Sequence, residues 1–86
     1  MNRSEVYTLI DGERQYQDSL WPDHNGSQSG NPLTVGEFVL LIAEYVDKAR
    51  AQWITEPKPE QQTMGIVRKI AGIAVNAMEQ HGAPAR

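Results

Sequence analysis

Two groups of polar side chains stand at helical spacing in this chain and could do chemistry. Glu13, Arg14, Gln17 and Trp21 fall in one short stretch, and Arg68, Lys69 and Asn76 in another. Arg14, Arg68 and Lys69 are the cations available to hold an anion such as a phosphate. Trp21 borders a polar loop and offers a stacking surface. Tyr7, Tyr16 and Trp53 also have the rings for stacking, but aromatics at helical spacing more often serve the core. A second chemistry needs oxygens. Glu44-Tyr-Val-Asp47 is an i, i+3 acidic pair that Glu13 could join around a hard divalent cation. Such pairs usually serve solubility, and Arg68 and Lys69 stand where a metal cluster would want more acid. His24 falls in a loop and His81 at a helix C-terminus, where it offsets the helix dipole. No strained nucleophile elbow or glycine-rich phosphate loop is present.

The elements that must position these groups are three helices, at about 4–21, 34–53 and 61–81, joined by a polar loop over 22–33 and a Pro-containing connector. Ser4 is the expected cap of the first, with Val6, Leu9, Ile10, Tyr16 and Leu20 as its apolar face. Glu13 and Gln17 fall in the middle of that face, at i and i+4, so both are aimed at neighbouring elements and need hydrogen-bonding partners. Thr34-Val-Gly-Glu37 is a capping box that opens the second helix. Val35, Phe38, Val39, Leu41, Ile42, Tyr45, Val46, Ala49 and Trp53 give that helix its apolar stripe. Leu40 falls outside the stripe and is a candidate subunit contact. The third helix ends at Gly82. Its apolar residues, Met64 to Met78, span an arc of roughly 200°. Gly65, Arg68, Lys69, Gly72, Asn76, Glu79 and Gln80 make the remaining stripe, whose glycines let something approach the backbone closely. The expected fold is all-α: a single three-helix domain over residues 1–86, with helices two and three as an antiparallel hairpin and helix one across it.

The 86 residues make a small core, and the wide arc on the third helix calls for a homo-oligomer to cover it. Without cysteine there is neither a disulfide nor a thiolate metal site. No apolar run reaches membrane-span length and no signal peptide stands at the start, so a soluble, cytoplasmic protein without a membrane partner is expected. Eight Lys+Arg against eleven Asp+Glu, with pI near 5.2, exclude the global basic field that would attract duplex nucleic acid. A small ligand or a protein partner fits that balance better.

The segment Glu13-Arg-Gln-Tyr-Gln-Asp-Ser-Leu-Trp21, with the Asp-His-Asn loop after it, resembles small phage-borne relatives of the MazG-like all-α nucleoside-triphosphate pyrophosphohydrolases. Arg-Lys-Ile-Ala and Ala-Met-Glu-Gln-His near the C-terminus extend the likeness. In that family a Glu-Glu-x-x-Glu run on one helix and a Glu-x-x-Asp run on the next hold magnesium over a triphosphate. The resemblance implies that Glu44 and Asp47 stand for part of the first run. The second run is missing, with Arg68, Lys69, Gly72 and Asn76 in its region. The resemblance, with that gap, implies nucleotide binding without hydrolysis and without a cofactor: Arg68 and Lys69 on phosphate, Glu13 and Gln17 orienting them or reading base or ribose, and Trp21 closing the site. By analogy with small helical phage proteins that sequester nucleotide-derived immune signals, the expected role is anti-defence in the cytoplasm of an infected bacterium. The alternatives are a magnesium-dependent pyrophosphohydrolase using Glu13, Glu44 and Asp47, and a structural, protein-binding module.

Overall fold

The structure is a computed structural model, described over residues 1–20, 33–55, 57 and 59–86. Among the described residues three helices form: α1 (Arg3–Leu20), α2 (Val35–Thr55) and α3 (Glu60–His81). Trp21, His24 and nearly all of the loop expected over 22–33 lie outside the described residues.

The starts of α1 and α2 are set by short-range hydrogen bonds. The Thr34 amide donates to Glu37 Oε1 at 2.9 Å and the Glu37 amide to Thr34 Oγ1 at 3.1 Å, the reciprocal box expected for α2. Ser4 is not the cap of α1. Asn2 takes that place, accepting the Glu5 amide at 2.9 Å while its own amide donates to Glu5; Asn2 and Glu5 have the same capping-box spacing, and it starts the helix one residue earlier. At the other end of α3, Gly82 adopts φ 73° and donates its amide to Met78 O at 2.7 Å, a backbone state that costs glycine nothing.

The Thr34 amide and hydroxyl hold the Glu37 carboxyl below the usual carboxylate range. A depressed folded-state pKa stabilises above the unfolded pKa and ceases to do so as pH falls through the folded value. Glu37→Ala is therefore expected to lower the melting temperature at neutral pH. The gap to wild type should close on acidification below about pH 4, and a gap that does not change with pH would show the carboxylate idle.

Helix α3 is the centre of the molecule. Both α1 and α2 pack on it, and α1 makes no packing contact with α2. The first helix therefore lies against α3 alone rather than across the whole hairpin. α2 and α3 run antiparallel, since His81 at the end of α3 meets the start of α2: its Nε2 lies 2.8 Å from Leu33 O and its ring stands edge-on to Phe38 at 5.9 Å. His81 is thus a tie between helix ends as well as a dipole partner. Among the described residues Phe38 and Ile73 are the large apolar side chains that are buried, with Leu41, Ile42, Tyr45 and Ala49 half-buried on α2. Burying a phenylalanine or isoleucine contributes about 1.5–3 kcal/mol each. Among the described residues, two such side chains make a slender core.

The α1–α3 contact also departs from the expected composition. Val6, Leu9, Tyr16 and Leu20 of the apolar face of α1 remain exposed, while Glu13 and Arg14 are its buried residues. α1 meets α3 through a strip that runs from Glu13 and Gln17, in the middle of that face, to Arg14 at its edge, with Ile10 half-buried beside it, so the Leu9–Tyr16 side of the face is left outward. Gly72 makes that possible. A Cβ built there would lie 2.8 Å from Gln17 Nε2 and 2.9 Å from Glu13 Cγ. The close approach anticipated along the glycine-bearing stripe is made by α1 itself.

Candidate functional site

The α1–α3 seam gathers six of the expected site residues. Glu13 is the hub: its side chain is only 4% exposed, with Oε1 accepting from Arg68 Nε at 2.9 Å and Oε2 from Gln17 Nε2 at 3.1 Å. Gln17 Nε2 also lies 3.3 Å from Lys69 O. The partners required by polar residues in the middle of an apolar face are thus found on the third helix. One turn beyond Gly72, Asn76 is buried and accepts from Gln80 Nε2 at 3.4 Å.

Arg14 serves this seam rather than open space. Its guanidinium side chain is 9% exposed and bonds Glu79 through Nε at 2.7 Å and Asp18 through Nη2 at 3.0 Å. Burial opposes its charge, but the hydrogen bonds to Glu79 and Asp18 outweigh that and raise its pKa, so Arg14 stays cationic. Its Nη1 is buried without a partner among the described residues.

Arg68 and Lys69 are different. The Arg68 side chain is 49% exposed and spends only Nε on Glu13. Its two terminal nitrogens, and the Lys69 ammonium, have no hydrogen-bond or ion-pair partner among the described residues. Both residues line a groove of about 570 Å³ between α1 and α3, open to solvent. Thr8, Leu9, Gly12, Glu13 and Tyr16 form its opposite wall. Nothing lies within 4 Å of where a Gly12 side chain would begin, so the α1 wall is indented there. The volume falls in the range of small-molecule sites. The groove carries two cations against one carboxylate, and that carboxylate already faces Arg68.

Tyr16 is the site residue that sequence reasoning assigns to the core instead. It reads as part of the apolar face of α1, yet it is exposed and borders the groove. Its position three residues after Glu13 is the available signal: once Glu13 faces α3, Tyr16 lies beside the contact on the Arg68 side. Trp21, expected to close the site, lies outside the described residues.

The carboxylates of the magnesium reading do not gather. Glu13 is committed to Arg68 and Gln17, whereas Glu44 and Asp47 are exposed on α2, and Asp47 pairs with Arg50 at 3.3 Å. Among the described residues no three His, Cys, Asp or Glu side chains are grouped to hold a metal ion. These residues do not fit the two-run magnesium cradle. Nor is any described helix long and apolar enough to cross a membrane.

No protein-family model, curated protein or solved structure matches this chain.

Proposed function

We propose that this protein binds a nucleotide-derived small molecule in the α1–α3 groove and holds it without chemical change, as a phage protein that sequesters an immune signal would. The observation that carries the reading is the placing of the Arg68 terminal nitrogens and the Lys69 ammonium, which have no partner among the described residues, beside an exposed ring. The terminal nitrogens of Arg68 and the Lys69 ammonium border the same groove as Tyr16. Two cations can neutralise phosphate oxygens directly, Arg68 in a forked geometry and Lys69 as a point charge. The tyrosine face gives a base something to stack on. Glu13 fixes Arg68 in place from the buried side, and Gln17 fixes Glu13, so the cation is pre-positioned before a ligand arrives. The phage origin and the sequestering role rest on the MazG-like resemblance and on analogy; the groove supports the nucleotide.

The same geometry weighs against a pyrophosphohydrolase, because the carboxylates that would hold its magnesium are spread over two helices that do not touch. A thermal-shift screen of mono-, di-, tri- and cyclic nucleotides, run with and without magnesium, tests the proposal. Stabilisation by at least one nucleotide in the absence of magnesium is the expected result. Stabilisation only with magnesium, accompanied by pyrophosphate release, would replace sequestration with hydrolysis.

A further inference from the structure

Gly72 and Gly12 face the α1–α3 contact with opposite surroundings. The missing side chain of Gly72 is used by the protein itself, since Gln17 and Glu13 fill the space a Cβ would take. Gly12 is not explained that way. No heavy atom lies within 4 Å of the Cβ position there, so no packing contact requires a glycine. Glycine is also the poorest helix former after proline, and this one stands in the interior of α1. Gly36 and Gly65 have equally open surroundings, but of the three it is Gly12 that lines the groove.

Its neighbours one helical turn away define the shape of the opening. Thr8, Gly12 and Tyr16 follow at intervals of four and form one line along the α1 wall of the groove. The side chain of a helical tyrosine leans back over the turn N-terminal to it, which for Tyr16 is the turn carrying Gly12. The exposed Tyr16 ring therefore borders a length of bare α1 backbone, with Arg68 and Lys69 on the facing α3 wall. Stacked atoms need about 3.5–4.0 Å between centres, so a flat ring laid on the Tyr16 face takes up the volume that a side chain at position 12 would enter. We propose that Gly12 and Tyr16 form the base slot of the ligand site: a nucleotide lays its base on the Tyr16 ring over the backbone at Gly12, while its phosphate meets Arg68 and Lys69. This assignment rests on the nucleotide-binding reading of the groove and deepens it. Gly12 acts by leaving room, Tyr16 by contact.

Calorimetric titration with the common nucleoside 5′-monophosphates, and with ribose 5-phosphate as the same phosphate and sugar without a base, tests the slot. In the wild-type protein at least one nucleotide should bind more tightly than ribose 5-phosphate, by the roughly tenfold or more that a stacked base contributes. Gly12→Ala should raise the melting temperature, because alanine is the better helix former and its Cβ meets nothing. The same change should bring the nucleotide down to the affinity of ribose 5-phosphate, whose own binding stays as in wild type. Tyr16→Ala should have the same effect on binding, and the two changes together should lose no more than either alone. Gly36→Ala, on α2, should leave every affinity unchanged. A Gly12→Ala protein that binds the nucleotide as wild type does overturns the slot, as do equal losses for nucleotide and ribose 5-phosphate, or a wild-type protein that binds the two alike; phosphate binding by Arg68 and Lys69 survives each of these results. Failure of all the compounds to bind wild type would overturn the nucleotide reading itself, and the slot with it.

Discussion

Gly72→Leu is expected to detach α1 from the hairpin and to abolish ligand binding with it. The cause is space. A first side-chain carbon at position 72 already falls 2.8 Å from Gln17 Nε2 and 2.9 Å from Glu13 Cγ. Alanine strains the contact less: the Gln17 amide is the end of a flexible chain and can withdraw, whereas Glu13 Cγ is the stem of a buried side chain and must give, which offsets the roughly 1 kcal/mol of helix propensity regained on losing the glycine. Leucine has no such escape, since its branched end would occupy the volume of the Glu13–Gln17 pair. Overpacking of this kind costs about 1–3 kcal/mol, and here α1 has little else to hold it. Amide hydrogen exchange should show α1 losing protection while α2 and α3 keep theirs. Unchanged protection in α1 would mean that the glycine is incidental.

The second large effect is expected at Glu13. Glu13→Ala removes the acceptor for both Arg68 Nε and Gln17 Nε2, two hydrogen bonds of which one is charge-assisted, together worth roughly 1–3 kcal/mol. Glu13→Gln should be milder, since an amide oxygen can still accept one of these bonds. Glu44→Ala is the control: it is exposed on α2 and should change stability by no more than about 0.5 kcal/mol. Chemical denaturation of the three variants provides the comparison, and equal midpoints for Glu13→Ala and Glu44→Ala would refute the hub.

The helices are legible in the sequence because their boundaries depend on neighbours three or four residues away. Thr34 with Glu37, and Gly82 after the last periodic residue, define ends from local chemistry alone. The need of Glu13 for a partner is legible too, since a carboxylate amid apolar positions demands one. The rotation of α1 is not. Periodicity separates a polar from an apolar side, and the apolar side ordinarily turns inward. Here Gly72 admits the strip from Glu13 to Arg14 instead of the whole apolar face, and Glu13 meets Arg68 and Arg14 meets Glu79 across more than fifty residues of sequence. That is a long-range pairing which no local pattern encodes. The same rotation explains why Arg14, grouped with Arg68 and Lys69 as an anion-binding cation, is consumed inside the seam, and why Tyr16 is left at the groove.

Isothermal titration calorimetry of the nucleotide that stabilises the protein most, repeated with EDTA, with added salt and on two variants, bears most directly on the proposed site. Lys69→Ala is the cleaner variant, because the Lys69 side chain has no ion pair among the described residues and its loss leaves the seam intact; Glu44→Gln removes a carboxylate from the magnesium reading. Sequestration by Arg68 and Lys69 predicts binding that survives EDTA and weakens with salt. It also predicts a loss of about tenfold to a hundredfold in Lys69→Ala, the equivalent of one charge-assisted phosphate contact, and no change in Glu44→Gln. Binding abolished by EDTA and by Glu44→Gln, but retained in Lys69→Ala, would contradict it and place the ligand on a metal instead.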